Sequence, residues 1–181
     1  MGEERAKIVC NHEELKNIDV VYASNCVRTL QTAKYLLDSQ GLKVIIDDWL
    51  DEGRVGKNND DIYPDWFARQ FFDPNFKTEG GESQLDVQNR MSEAIKEIVE
   101  KYKGKRIAIF THGYAILFYF LKYCKLLGVD GEKIKIEFKG NIIFNKKINA
   151  PELFKLLIND DGEVENIKLI TIDELTHMKG V

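Results

Sequence analysis

Residues 107–116 read IAIFTHGYAI. A branched apolar run stops at Thr111, His112 and Gly113 follow, and a second apolar run starts at once. A matching joint lies at 19–32, where DVVYA ends in Ser24-Asn25 and the next stretch carries Arg28 in its first turn. Strand-to-helix joints of this kind suit anions. The first amides of a helix lack intrahelical partners, and the helix dipole places about half a positive charge there. Side chains tilt toward the helix start, so Arg28 leans back over the strand end. Gly113 has no Cβ and lets a ligand approach the backbone. A guanidinium fork, an imidazole and helix amides that converge on one point suit a phosphate. Each residue also has an ordinary structural reading. Arg28 alone is a solvated helix residue and His112 alone a hydrogen-bonded structural histidine, and local pattern leaves the two readings balanced. Glu52, in LDEGRVG, is either a general acid or part of an exposed acidic loop. Thr111 either orients a ligand oxygen or is only a strand residue. His12, within a polar opening helix, and His177, in a charged C-terminal tail, are expected to be solvated.

The elements that position these residues follow from periodicity. A polar helix is expected over 3–16 and a strand over 18–23. Ser24 and Asn25 are good N-cap residues for a helix carrying Val27, Leu30, Ala33 and Leu37, which Gly41 closes. A short strand covers 44–46, a polar loop 51–62, and a helix begun by proline 64–72. GGES at 80–83 reads as a turn and a cap, with Ser83 and Asp86 resembling a capping box. Val87, Met91, Ala94, Ile95, Ile98, Val99 and Tyr102 mark one face of a long helix. A strand at 106–111 and a helix at 114–127 follow, then strands near 134–138, 141–147, 153–158 and 164–170. Asp160-Asp161-Gly162 signals a hairpin. Strands alternating with helices predict an α/β fold with a mainly parallel sheet covered on both faces, in one domain over 1–181. In such a sheet both joints lie on the carboxyl edge, where open α/β folds bind ligands. Trp66, Phe67, Phe71 and Phe72 either line a pocket or fill a core, and core is the reading favoured for most of them.

The 181 residues carry 26 basic and 30 acidic side chains, a net charge of -4. That gives no electrostatic case for nucleic acid or an anionic membrane. Tyr114–Leu121, the most apolar stretch, is too short to span a bilayer. Cys10, Cys26 and Cys124 show no zinc spacing and no disulfide framework, and fit buried thiols in a reducing cytoplasm.

Taken in order, SNCVRTLQTA at 24–33, LDEGRVG at 50–56, GGES at 80–83 and THG at 111–113 resemble segments of the histidine phosphatase superfamily, also called phosphoglycerate mutase-like. The resemblance implies a three-layer α/β/α sandwich and hydrolysis of a phosphate monoester through a phosphohistidine. Arg28, with Ser24, His112 and Gly113, would bind phosphate; His112 would also stabilise charge, and Glu52 would protonate the leaving oxygen. No metal or cofactor is implied, and the ligand would be a phosphorylated small molecule or phosphate. The family's nucleophile lies in an N-terminal Arg-His-Gly, which this sequence lacks. Only eleven residues separate His12 from Ser24, too few for the family's loop and helix. MGEERAKIVC instead resembles that helix, with Arg5 at a position where the family often has Gln. The opening strand and its motif are therefore expected before Met1, the chain is expected to be a truncated domain with little activity, and self-association that covers the open sheet is an expected consequence. A non-catalytic phosphate-binding or interaction protein is the alternative.

Overall fold

The computed structural model describes residues 2–57 and 64–177. The expected 51–62 loop beyond Lys57, the last residues of the tail and the side chain of His177 lie outside that description. Helices are Gly2–Asn11 (α1), Val27–Gln40 (α2), Trp66–Phe72 (α3), Gln84–Lys101 (α4), Gly113–Phe120 (α5) and Asp173–His177 (α6). Strands are Val20–Ala23 (β1), Val44–Ile46 (β2), Ile107–Phe110 (β3), Lys125–Asp130 (β4), Lys133–Phe138 (β5), Asn141–Lys147 (β6), Leu153–Ile158 (β7) and Val164–Ile170 (β8).

The three β-branched runs pair in parallel in the order β2-β1-β3. Ala23 lies opposite Ile46 on one side and Phe110 on the other, so the strands end together. Alternate residues of this sheet enter two different apolar clusters, as the period of two requires. Tyr22, Ile107 and Ile109 join α4 and α5 in one cluster. Val21 and Ala108 join residues of α1 and α2 in the other.

Helix ends obey local chemistry. Gly41 closes α2 in the left-handed region at φ 65. The Ser83 hydroxyl accepts from the Asp86 amide, and the Asp86 carboxylate accepts from the Ser83 amide, so the capping box is complete in spite of the shorter acid. Ser83→Ala should therefore cost about 1 kcal/mol, read as a lower denaturation midpoint at an unchanged slope. The expected helix over 3–16 breaks instead at Asn11. His12 caps a separate turn at 13–15, where its Nδ1 accepts from the Glu14 amide, so it is half-buried and hydrogen-bonded rather than freely solvated.

The C-terminal half departs further from the sequence reading. The helix expected to run to 127 stops at Phe120, and Lys125–Asp130 forms a strand paired antiparallel to β5. The overlooked signal is Asp130-Gly131, with Gly131 at φ 54, a hairpin turn directly before the alternating KIKIEF. Lys139 and Gly140, both at positive φ, turn β5 into β6. β4-β5-β6 and β7-β8 are separate antiparallel sheets, so among the described residues parallel pairing is confined to β1, β2 and β3. Asp160-Asp161-Gly162 lies in the turn joining β7 to β8, as expected. The tail forms α6, which was not foreseen. Phe71 is buried and Phe67 packs against the same cluster, whereas Phe72 is 62% exposed.

Candidate active site

Because β1 and β3 pair in register, their carboxyl ends set Ser24 beside His112. Ser24 Oγ lies 2.8 Å from His112 Nε2. Arg28 Nε and Nη2 reach His112 Nδ1 at 3.0 and 2.6 Å. A guanidinium has no lone pair to offer, so Nδ1 must accept and Nε2 must carry the proton. The tautomer follows from these partners. His112 Nε2–H then donates to Ser24, whose hydroxyl lies 2.9 Å from Thr29 Oγ1, and Thr29 Oγ1 donates to the Cys26 carbonyl at 2.7 Å. The Thr29 hydroxyl also reaches the Ser24 carbonyl at 3.1 Å. His112 and Ser24 are buried while Arg28 is exposed. Burial, with Arg28 and then Arg90 nearby, lowers the His112 pKa to about 4. The imidazole is neutral at pH 7.

Ser24 was expected to cap α2. Its hydroxyl is committed to His112 and Thr29 instead, and the chain stays extended to Cys26, which takes the N-cap position without a side-chain cap bond. Gly113 was expected to leave room for a ligand. A Cβ built there would lie 2.8 Å from Ile148 Cδ1, so the close neighbour on that face is the chain's own Ile148.

Glu52 leaves the turn that follows β2 and its Oε1 accepts from the Ala115 amide at 3.1 Å and the Gly53 amide at 3.3 Å. The acid thus occupies an amide in the first turn of α5, one of the donors that sequence reasoning reserved for a ligand. Burial raises its pKa, against the opposing pull of the two amides and of Arg28 and Arg90. The exposed-loop reading does not describe this half-buried, doubly hydrogen-bonded carboxyl. Thr111 points away from any ligand role: its hydroxyl donates to the Leu50 carbonyl at 2.6 Å and ties the Glu52 turn to β3.

Arg90 was not singled out in the sequence. From α4 its Nη1 donates to the Trp49 and Asp51 carbonyls at 2.7 and 2.8 Å, and its Nε and Nη2 reach Glu82 at 2.9 and 3.2 Å. The Glu82 carboxylate in turn accepts from the Arg54 amide. With Thr111 on Leu50, three successive carbonyls before Glu52 are held. GGES joins the same frame. A Cβ on Gly56, at φ 71, would lie 2.4 Å from the Gly81 backbone nitrogen, so only glycine permits this approach.

The model of the histidine phosphatase superfamily, branch 1, matches residues 1–141. Over 140 residues the chain is 28% identical to phosphoserine phosphatase 1 of Hydrogenobacter thermophilus, covering 73% of this chain and 65% of that protein. Over 127 residues it is 29% identical to a probable phosphoglycerate mutase of Yersinia enterocolitica, covering 64% and 58%. The matches thus span less than two thirds of either relative. Among solved structures, a mycobacterial glucosyl-3-phosphoglycerate phosphatase in complex with inorganic phosphate superposes with a TM-score of 0.58 at 20% identity, covering 74% of this chain and 76% of that one.

Proposed function

This chain belongs to the histidine phosphatase superfamily, and from that premise we propose that it carries the phosphate-binding half of a site for phosphomonoester hydrolysis. The single observation that carries the reading is the neutral His112 held between Ser24 and Arg28, with Glu52 on the adjoining helix start. An arriving phosphate draws the exposed Arg28 fork, because a charge-assisted bond to an anion is stronger than one to a neutral imidazole. His112 Nδ1, released from Arg28, then takes a proton from solvent, becoming imidazolium, and donates to a phosphoryl oxygen of the bound anion. Ser24 acts through His112 by fixing the opposite nitrogen, and ligand approach at Gly113 displaces Ile148. Glu52, raised by burial, protonates the departing alkoxide oxygen.

In the family scheme an imidazole nitrogen attacks phosphorus, the ester P–O bond breaks, and water later cleaves the P–N bond. The 181 residues contain no Arg-His-Gly. We therefore assign the chain alone little or no turnover, and for its fold a three-layer α/β/α sandwich without the family's first strand. The split of β1 and β3 between two apolar clusters supports that layering. From the relatives' names we carry over only the phosphate monoester, and a cytoplasmic setting is the reading consistent with three free cysteines. The same missing motif favours the second reading, a non-catalytic phosphate-binding protein.

An assay with para-nitrophenyl phosphate tests this. The chain and His112→Ala should both sit at the uncatalysed rate. Turnover that is lost on His112→Ala and kept on His12→Ala would contradict the assigned inactivity. Loss on His12→Ala would identify His12 as the attacking group and overturn its structural role as a cap.

A further inference from the structure

Arg90 and Glu82 are largely enclosed, with side chains 17% and 11% exposed. Burial pushes the Glu82 carboxyl up, but Arg90 and the Arg54 amide outweigh it and hold the acid below its usual range. A buried ion pair is a weak source of net stability, because desolvation offsets much of the attraction. This one has a second consequence, which is where it holds the chain. On one side of Glu52, Arg90 Nη1 donates to the carbonyls of Trp49 and Asp51 at 2.7 and 2.8 Å. On the other side, Glu82 holds both backbone groups of Arg54. Its Oε2 accepts from the Arg54 amide at 3.0 Å, and its own amide donates to the Arg54 carbonyl at 2.8 Å. Only Glu52 and Gly53 lie between these anchors.

The Glu52 carboxyl is thereby aimed. It accepts from the Gly53 amide within the anchored stretch and from the Ala115 amide of α5. The intrahelical ladder of α5 starts only at Ile116, whose amide donates to the His112 carbonyl. Ala115 is thus a first-turn donor whose acceptor is supplied from outside the helix. We propose that the Arg90–Glu82 pair is a positioning device for Glu52, which fixes its carboxyl on the start of α5 at the reach that proton donation to a leaving oxygen requires. The proposal rests on the reading of Glu52 as that proton donor. A general acid acts only within hydrogen-bond distance of the oxygen it protonates, and a misplacement of about 1 Å costs on the order of 100-fold in rate. One planar guanidinium spans two carbonyls and two carboxylate oxygens at once, which an ammonium cannot do.

Arg90→Lys separates position from charge. It keeps the charge that, with Arg28, opposes the burial-driven rise of the Glu52 pKa, but it loses the fork. Hydrogen exchange of the full 181-residue chain, followed by NMR at the Ala115 amide, reads the outcome. Exchange there should quicken by about tenfold, the loss of one hydrogen bond. Glu82→Gln keeps an acceptor for the Arg54 amide and should quicken it by a smaller factor, and it decides the question if Arg90→Lys does not fold. Ser83→Ala weakens the same helix start without touching the pair and should leave Ala115 at the parent rate. An unchanged Ala115 rate in whichever of the first two variants folds overturns the proposal. So does equal acceleration by Ser83→Ala, the mark of general loosening of α4. Inorganic phosphate carries no leaving group for Glu52 to meet, so its Kd for Arg90→Lys should stay within about twofold of the parent value. A larger loss would assign Arg90 to phosphate binding and overturn the positioning role. A parent chain that binds no phosphate sinks the reading of the site, while faster Ala115 exchange in Arg90→Lys would still establish the hold of Arg90 on Glu52.

Discussion

Replacing Arg28 with alanine should weaken binding of inorganic phosphate by about 100-fold. The guanidinium is exposed, and it already spends two donors on a neutral acceptor, His112 Nδ1. Hydrogen bonds to a charged group contribute roughly 1.5–3 kcal/mol each, and a two-pronged contact to phosphate adds direction to charge. Loss of the fork therefore removes about 3 kcal/mol of binding, which is the stated factor. Arg28→Lys keeps the charge but not the fork and should fall between the two. Little stability is at stake, since Arg28 lies on the surface of α2. Titration calorimetry of the three proteins checks this, and equal affinity for Arg28→Ala and the parent would remove Arg28 from the site.

The second large effect concerns acid stability. His112 is buried, and its pKa falls from 6.5 to about 4, first through burial and then through Arg28 and Arg90. The unfolded chain therefore binds more protons than the folded one between those two values. Stability that is complete above pH 6.5 is lost as pH falls toward about 4, by about 3 kcal/mol. Glu52 works the other way: its raised pKa means that the folded form holds its proton longer, which offsets part of the loss. Denaturant melts of the parent and His112→Gln at each pH isolate the histidine. The difference between them should shrink as pH falls through this window, and a constant difference would show that His112 does not titrate as a buried neutral base.

Much of the site was legible because its residues stand at strand ends. A β-branched run followed by Ser24-Asn25 or Thr111-His112-Gly113 announces its own geometry, and parallel pairing then brings the two joints together without further information. The capping box at Ser83 was equally local. What escaped depends on contacts far apart in sequence. Arg90 sits within an ordinary helical pattern, and its role exists only because the carbonyls of Trp49 and Asp51 arrive beside it. Ile148 over Gly113 is of the same kind. The stretch after Phe120 was misread for a different reason. Its apolar run has no helical face of its own, and pairing with β5, not propensity, decides that Lys125–Asp130 extends.

The most direct test follows the two ring nitrogens of His112 by nitrogen-15 NMR while phosphate is added at pH 7. Without phosphate, Nε2 should carry the proton and Nδ1 should read as an unprotonated acceptor. Saturating phosphate should shift Nδ1 toward the protonated form with a single dissociation constant, and Arg28→Ala should suppress the response. If the His112 nitrogens do not move while those of His12 do, the oxyanion pocket is not where Arg28, Ser24 and His112 meet.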